Sequence, residues 1–192
     1  MQQRKIVILC GPSGSGKTTI AKHLLQMNPV LAFSVSATTR DKRHNEKDGK
    51  DYHFLSVEDF KNKITGNAFI EYEEVYKDVF YGTLKSELED IWERGKIPVL
   101  DIDVAGAANI KNNFATNALT IFVHPISLEN LKHRLHQRAT ESAESFAKRI
   151  NKGEEELNMS GSFEKIVYND NLDKATAQAN EFVQQYISQP NK

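Results

Sequence analysis

The residues with the plainest chemical purpose lie near the start of the chain. Gly11-Pro12-Ser13-Gly14-Ser15-Gly16-Lys17-Thr18 fits the spacing G-x-x-x-x-G-K-[ST], with Thr19 next and the apolar run Ile6–Cys10 before it. Three glycines and no large side chain before Lys17 let backbone N–H groups curl around phosphate oxygens. The helical pattern that follows turns its positive end toward the same anion. Lys17 would reach the β- and γ-phosphates of a triphosphate, and the Thr18 hydroxyl would ligate Mg2+. The motif points to nucleotide binding and leaves the phosphate acceptor unnamed.

Other groups read less sharply. In "SVSATTRDKRHNEKDGKDYHF", which starts at Ser34, Arg40, Arg43 and Tyr52 offer two guanidinium forks and a phenol to a small phosphate. The same loop reads equally as a solvated basic stretch. "IPVLDID" ends on Asp101 and Asp103. Alternation puts both on one face, so a Mg2+ role and a ligand-reading role stay open for each. Arg134 and Arg138 share a helical face and Arg149 falls on the next helix; by themselves they read as a solvated face paired with Glu141 and Glu144. Asn169 and Asp170 follow the last apolar run, where a strand-to-helix turn is the plain alternative. None of the histidines shows a metal-ligand pairing such as H-E-x-x-H.

The elements that must hold these residues follow from periodicity. Apolar runs at Ile6–Cys10, Ile97–Ile102, Leu119–His124 and Lys165–Tyr168 predict buried parallel strands, with a fifth at Leu31–Ser36. Helical patterns cover Gly16–Met27, Thr83–Arg94, Ser127–Arg138 and Asp173–Ile187. Strands alternating with helices predict an α/β fold with a doubly wound parallel sheet. Two segments break the rhythm. Residues 37–82 are charged and aromatic, with strand-like pieces at Tyr52–Leu55 and Phe69–Val75, and 128–158 form a polar helical pair. Neither is expected to build much core alone, and each is expected to move against the sheet.

The bulk numbers bound the partners. The 192 residues suit one domain, and a net charge of -1 gives no global field for nucleic acid or an anionic membrane. A polyanion site must be built locally. Cys10 is the lone cysteine, so no disulfide framework exists, which suits a reducing compartment. No stretch is long and apolar enough for a membrane span, and a strand at the very start leaves no room for a signal peptide. The expectation is a soluble, cytoplasmic chain without nucleic-acid or membrane partners, frayed at 189–192.

Several motifs now stand in order: Ser34–Tyr52, "FIEYEE" (Phe69–Glu74), "YGT" (Tyr81–Thr83), "LDIDVAG" (Leu100–Gly106) and "RLHQRATESAESFAKRI" (Arg134–Ile150). Together with the glycine loop, this series resembles guanylate kinase from Ile6 to about Ile187. The resemblance implies a P-loop core (1–36, 93–126 and 159–188), an inserted GMP-binding subdomain of mixed strands (37–92) and a helical lid (127–158). It implies Mg2+-dependent transfer of the ATP γ-phosphoryl group to GMP, and to dGMP, giving ADP and GDP. ATP and GMP are then the partners, and the chain a monomer or small homo-oligomer.

Roles follow from the same resemblance. Ser36, Glu71, Thr83 and Asp103 would read guanine; Arg40, Arg43, Tyr52 and Tyr81 would hold the GMP phosphate. ATP would lie on Gly11–Thr19 with Arg134, Asn169 and Asp170. Lys17, Arg43, Arg138 and Arg149 would be catalytic, and Thr18 would ligate Mg2+, with Asp101 a metal partner through water. The chemistry is coherent. Guanine offers N1–H and an amine to carboxylates, and its O6 accepts from hydroxyls. Adenine inverts much of this, and a site built on hydrogen bonds discriminates by roughly 10⁴-fold or more. No general base is needed, because the acceptor phosphate is already ionised.

The chain departs from the family pattern at Asn45 (glycine is usual), Lys77-Asp78 (Gly-Asn), Ala105 (glutamine), Ile126 (proline) and Ala139 (glycine). Asn45 is expected to keep a left-handed turn. Two other readings compete: a catalytically silent interaction module gripping phosphopeptides, and a P-loop kinase acting on another phosphorylated acceptor.

Overall fold

The computed structural model describes residues 4–136 and 143–189. Ile6–Cys10 forms β1, and all of it is buried. A run without a polar member belongs in a sheet covered on both faces. β1 pairs in parallel with β7 (Ile97–Asp101) on one side and β8 (Ala118–His124) on the other. With β2 (Leu31–Phe33) and β9 (Lys165–Tyr168) at the edges, the order is β2-β7-β1-β8-β9, every pair parallel.

Alternation along β1 sorts the core into two layers. Val7 and Leu9 pack with Ile20 and Leu24 of α1 (Lys17–Met27) and with Ala179 and Val183 of α7 (Leu172–Ser188). Ile6, Ile8 and Cys10 face the other way, onto Leu88 of α3 (Lys85–Glu93) and Ala107 and Ile110 of α4 (Val104–Phe114). Helices on both faces make this the doubly wound architecture that the periodicity predicts. All the parallel strands end at one edge, and the register Leu9↔Asp101 sets the glycine loop beside the carboxylate that ends β7.

A second sheet, in the order β4-β3-β6-β5, is built from β3 (Ala37–Thr38), β4 (His53–Phe54), β5 (Phe69–Tyr76) and β6 (Val79–Leu84). It is covered by α2 (Val57–Thr65), whose Ser56 cap accepts from Asp59 N at 3.0 Å. Phe60 stacks on Phe69 and Phe80 with ring centroids 4.3 and 5.3 Å apart. This corrects one expectation: with Ala37 and Leu84, these three rings give the segment a small buried core of its own. The other excursion is the helix pair α5 (Leu128–His136) and α6 (Ala143–Asn158), joined by Leu131, Leu135 and Ile150.

Several expected boundaries move. Thr83 and Leu84 complete β6 instead of opening a helix, and Lys85 N closes the step by donating to Ala68 O at 2.9 Å. The strand from Ile97 stops at Asp101, although Ile102 N still reaches Leu9 O at 3.1 Å. β2 ends at Phe33, so Ser36 lies beyond it. α2, α4 and β6 were not expected as elements. Asn45 does not take a left-handed backbone, whereas Asp78 (φ 61°) and Ile126 (φ 74°), two other departures from the family pattern, do. Among the described residues no helix is long and apolar enough to cross a membrane.

Candidate active site

The loop after β1 wraps an open space. Gly11 has φ 128°, and a Cβ there would stand 2.7 Å from Val123 O, so only glycine fits both its backbone and its neighbour. Gly16 is the N-cap of α1 and offers no side chain to its first-turn N–H groups, which leaves them for an anion. Lys17 Nζ donates to Gly11 O at 2.7 Å and Pro12 O at 3.2 Å, and lies 3.8 Å from Asp101 Oδ1. The Thr18 hydroxyl donates to Asp101 Oδ2.

The expected ATP-side residues converge on this loop. Asn169 Nδ2 and Arg134 Nη1 both donate to Ser15 O, at 2.7 and 3.1 Å, and Arg134 Nη2 donates to Asn169 O at 2.7 Å. Arg149 Nη2 donates to Ser13 Oγ at 2.5 Å, bringing the helix pair onto the loop. Gly14, Gly16, Thr19, Arg134, Asn169 and Asp170 line a cavity of about 500 Å³. Asp170 also serves the turn, its Oδ1 accepting from Asn171 N at 2.7 Å. Arg138 and Ala139 lie outside the described residues.

Across the site, Arg40 is held on several sides. Its Nε donates to Tyr81 Oη at 3.1 Å, and its guanidinium lies 5.3 Å from the centre of the Tyr52 ring. Glu46 takes both terminal nitrogens, at 2.9 and 2.8 Å, and accepts from Arg43 N at 2.8 Å; the Arg43 guanidinium stands 3.8 Å from the same carboxylate. Partial burial works against the Arg40 charge, but the bonds to Glu46 and Tyr81 outweigh it and hold its pKa above the ordinary value. Burial likewise works against the Glu46 charge, and Arg40 and the Arg43 N–H together pull its pKa below the usual carboxylate value. Burial pushes the Tyr52 phenol up, and the Asp101 charge adds to the push.

Deeper in, Thr83 Oγ1 donates to Glu71 Oε1 at 2.6 Å, with both residues buried. Their pairing is set by the β5–β6 register, which puts Glu71 opposite Thr83. Burial pushes Glu71 up to about 7; the Asp103 charge adds to this and the Thr83 bond opposes it. Asp103 caps α4, its Oδ1 accepting from Gly106 N at 2.8 Å. A Cβ on Gly106 would fall 2.6 Å from Glu71 Oε2 and 3.2 Å from Asp103 Oδ1, so the two carboxylates meet over that glycine. Ser36 is buried, and its carbonyl accepts from His53 N at 2.9 Å. The shared face expected for Asp101 and Asp103 does not exist, because β7 ends between them. Asp101 turns to Lys17 and Thr18, and Asp103 to α4 and Glu71.

Four residues enter the site that the sequence did not single out: Glu46, Glu73, Lys152 and Glu156. Lys152 Nζ lies 3.0 Å from both Glu73 Oε1 and Asp103 Oδ2. Glu156 is buried, which pushes its pKa up, while the Lys17 and Lys152 charges and a bond from Val104 N oppose the push. The available signal was spacing: Arg149, Lys152 and Glu156 fall on one helical face.

The family model for guanylate kinase matches residues 3–186. The chain belongs to the guanylate kinase family. It is 48% identical over 188 residues to a guanylate kinase of Salinibacter ruber, covering 98% of this chain and 100% of the relative. A guanylate kinase of Bacteroides thetaiotaomicron is 45% identical over 184 residues, covering 96% and 90%. The crystal structure of guanylate kinase from Anaplasma phagocytophilum superimposes with a TM-score of 0.79 at 26% identity, covering 98% of this chain and 89% of that one. A gluconokinase from Sinorhizobium meliloti, 15% identical with a TM-score of 0.53, shares the fold alone. As a member of the guanylate kinase family, the chain is a nucleoside monophosphate kinase, a phosphotransferase.

Proposed function

We propose that this guanylate kinase transfers the γ-phosphoryl group of ATP to GMP, and to dGMP, with Mg2+, giving ADP and GDP. The observation that carries the choice of acceptor is the meeting of the buried Glu71 carboxylate with Asp103 over Gly106, with Thr83 beside them. Two carboxylates ask for a ring edge that donates, and guanine presents N1–H and an amine there. The Ser36 hydroxyl would suit its O6, while the Thr83 hydroxyl, given to Glu71, holds that carboxylate in place. Adenine would leave a buried carboxylate unpaired.

Arg40, Arg43, Tyr52 and Tyr81 hold the acceptor phosphate in this reading, with Glu46 orienting the Arg40 fork. The glycine loop, Arg134, Asn169 and Asp170 hold ATP. Thr18 and Asp101 are hard oxygen donors already in contact, and they fit Mg2+, which takes one or two protein oxygens and completes its shell with phosphates and water. When bound, the ion neutralises charge on the β- and γ-phosphate oxygens. Lys17, now turned onto loop carbonyls, has the reach to exchange them for phosphate oxygens. Arg149, with Arg43 from the acceptor side and Arg138, stabilises the charge that builds on the transferring group. The lone, buried Cys10 supports a reducing compartment, and the reading places the reaction in the cytoplasm.

An ADP-release assay tests the acceptor. GMP, dGMP, AMP, UMP and no acceptor are offered in parallel with ATP and Mg2+. Turnover confined to GMP and dGMP is expected. ADP release with AMP or UMP instead would overturn the base-reading assignments.

A further inference from the structure

The helix α6 touches the site at three successive places along one face. Arg149 reaches Ser13 in the donor loop. One turn on, Lys152 reaches Asp103 and Glu73, and a further turn on the buried Glu156 carboxylate feels the Lys17, Lys152 and Asp103 charges. Lys152 is the member that reaches a carboxylate read here as a base acceptor. One Asp103 oxygen is committed to Gly106 N at 2.8 Å, and Lys152 holds the other at 3.0 Å. Glu73 comes from β5, two residues beyond Glu71, and its second oxygen is buried without a hydrogen-bond partner. Carboxylates from β5 (Glu71, Glu73), α4 (Asp103) and α6 (Glu156) thus crowd one region, with Lys152 among them. Without that ammonium, like charges would drive Asp103 and Glu73 apart.

We propose that Lys152 is a positioning residue for the acceptor: brought in by the helix pair, its ammonium fixes the Asp103 carboxylate for the guanine ring and, through Glu73, ties that helix pair to the acceptor sheet. The inference rests on the reading of Asp103 as a guanine acceptor. It makes the lid an element of acceptor recognition as well as of catalysis. The contact serves base binding, so its loss falls on KM for GMP and leaves KM for ATP in place.

Steady-state kinetics on K152M, K152R, D103N and K152M/D103N test it, with GMP and ATP varied separately and thermal unfolding recorded for each variant. K152M is expected to raise KM for GMP roughly ten- to hundredfold, the size of a lost charged hydrogen bond, with KM for ATP unchanged. K152R restores most of the loss by keeping the charge. The double variant loses less than the sum of the two single losses, because Lys152 acts largely through Asp103. A K152M enzyme with wild-type KM for GMP, additive losses in the double variant, or equal rises in both KM values with a lowered Tm would each overturn the inference. A wild type that phosphorylates no GMP would overturn the functional reading and this inference with it; an active wild type with an indifferent K152M overturns the inference alone.

Discussion

The Thr83 hydroxyl donates to Glu71 Oε1 at 2.6 Å, in a recess where both side chains are shut away from water. The bond favours the ionised carboxylate, while burial and the Asp103 charge oppose it, and the balance leaves Glu71 at about 7. The residue is therefore poised between two protonation states in the neutral range, and a ring edge offering N–H donors selects the ionised one.

A pH dependence follows. With Glu71 at about 7, kcat/KM for GMP rises between pH 6 and 8 as the carboxylate ionises. Titration of the GMP phosphate contributes to the same slope, so the comparison is with E71Q, which retains the phosphate part and loses the rest. Identical slopes in both proteins would remove Glu71 from base reading.

The same shift acts on stability. Burial lifts the folded-state value from 4.5 to about 7, so between these limits the folded protein binds a proton that the unfolded chain releases. The contribution is fully present below pH 4.5 and is lost as pH rises through about 7. Without ligand, Tm should therefore fall from pH 6 to 8 more in the wild type than in E71Q, and GMP should reverse the difference. Differential scanning calorimetry at the two pH values checks the sign.

Arg149→Ala removes the guanidinium that reaches the donor loop at Ser13. If the group stabilises charge on the transferring phosphoryl, kcat falls by roughly 10³ or more. A loss under tenfold with GMP affinity intact would count against that role, and single-turnover measurement separates it from slow product release.

Asp101→Asn keeps the shape beside Thr18 and removes the negative charge that this residue offers a cation. The Mg2+ concentration giving half-maximal rate should rise roughly ten- to hundredfold, with KM for GMP unchanged. A variant with unaltered Mg2+ dependence would show that Asp101 serves only to steady Lys17 and Thr18.

Ile126 has φ 74°, a left-handed conformation that suits a β-branched side chain badly, and it is 40% exposed. Little burial is lost by replacing it, so Ile126→Asn should stabilise by about 1 kcal/mol and raise Tm by about 2–4 °C. A lowered Tm would mean that the isoleucine contacts outweigh the backbone strain.

The sequence was most legible where one local signal decides structure. β1 and β9 have the expected limits because each is an unbroken run between clear stops. The loop at Gly11–Thr18 was readable for the same reason. Two helices escaped although their caps were present: Ser56 with Asp59 opens α2, and Asp103 with Gly106 N opens α4. In "LDIDVAG" the two carboxylates mask the helical spacing of Val104, Ala107 and Ile110 behind them. β6 was hidden because its turn is Lys77-Asp78 without a glycine, with the left-handed position carried by Asp78. Glu46 was not legible, and for Lys152 the helical spacing of α6 gave a face but no partner. Each resembles its charged neighbours in sequence, and only the folded chain decides that Glu46 turns onto Arg40 while Lys152 reaches Asp103, 49 residues away.

Transfer of phosphoryl from ATP to a guanine nucleotide, between the glycine loop and the Arg40 cluster, is the step on which all of these roles depend. It is tested most directly by supplying ATP labelled in its γ-phosphate, with Mg2+ and GMP, and following the label to its product. Label is expected in the β-phosphate of GDP, formed one for one with ADP. Label released as inorganic phosphate, or GDP left unlabelled, would contradict it.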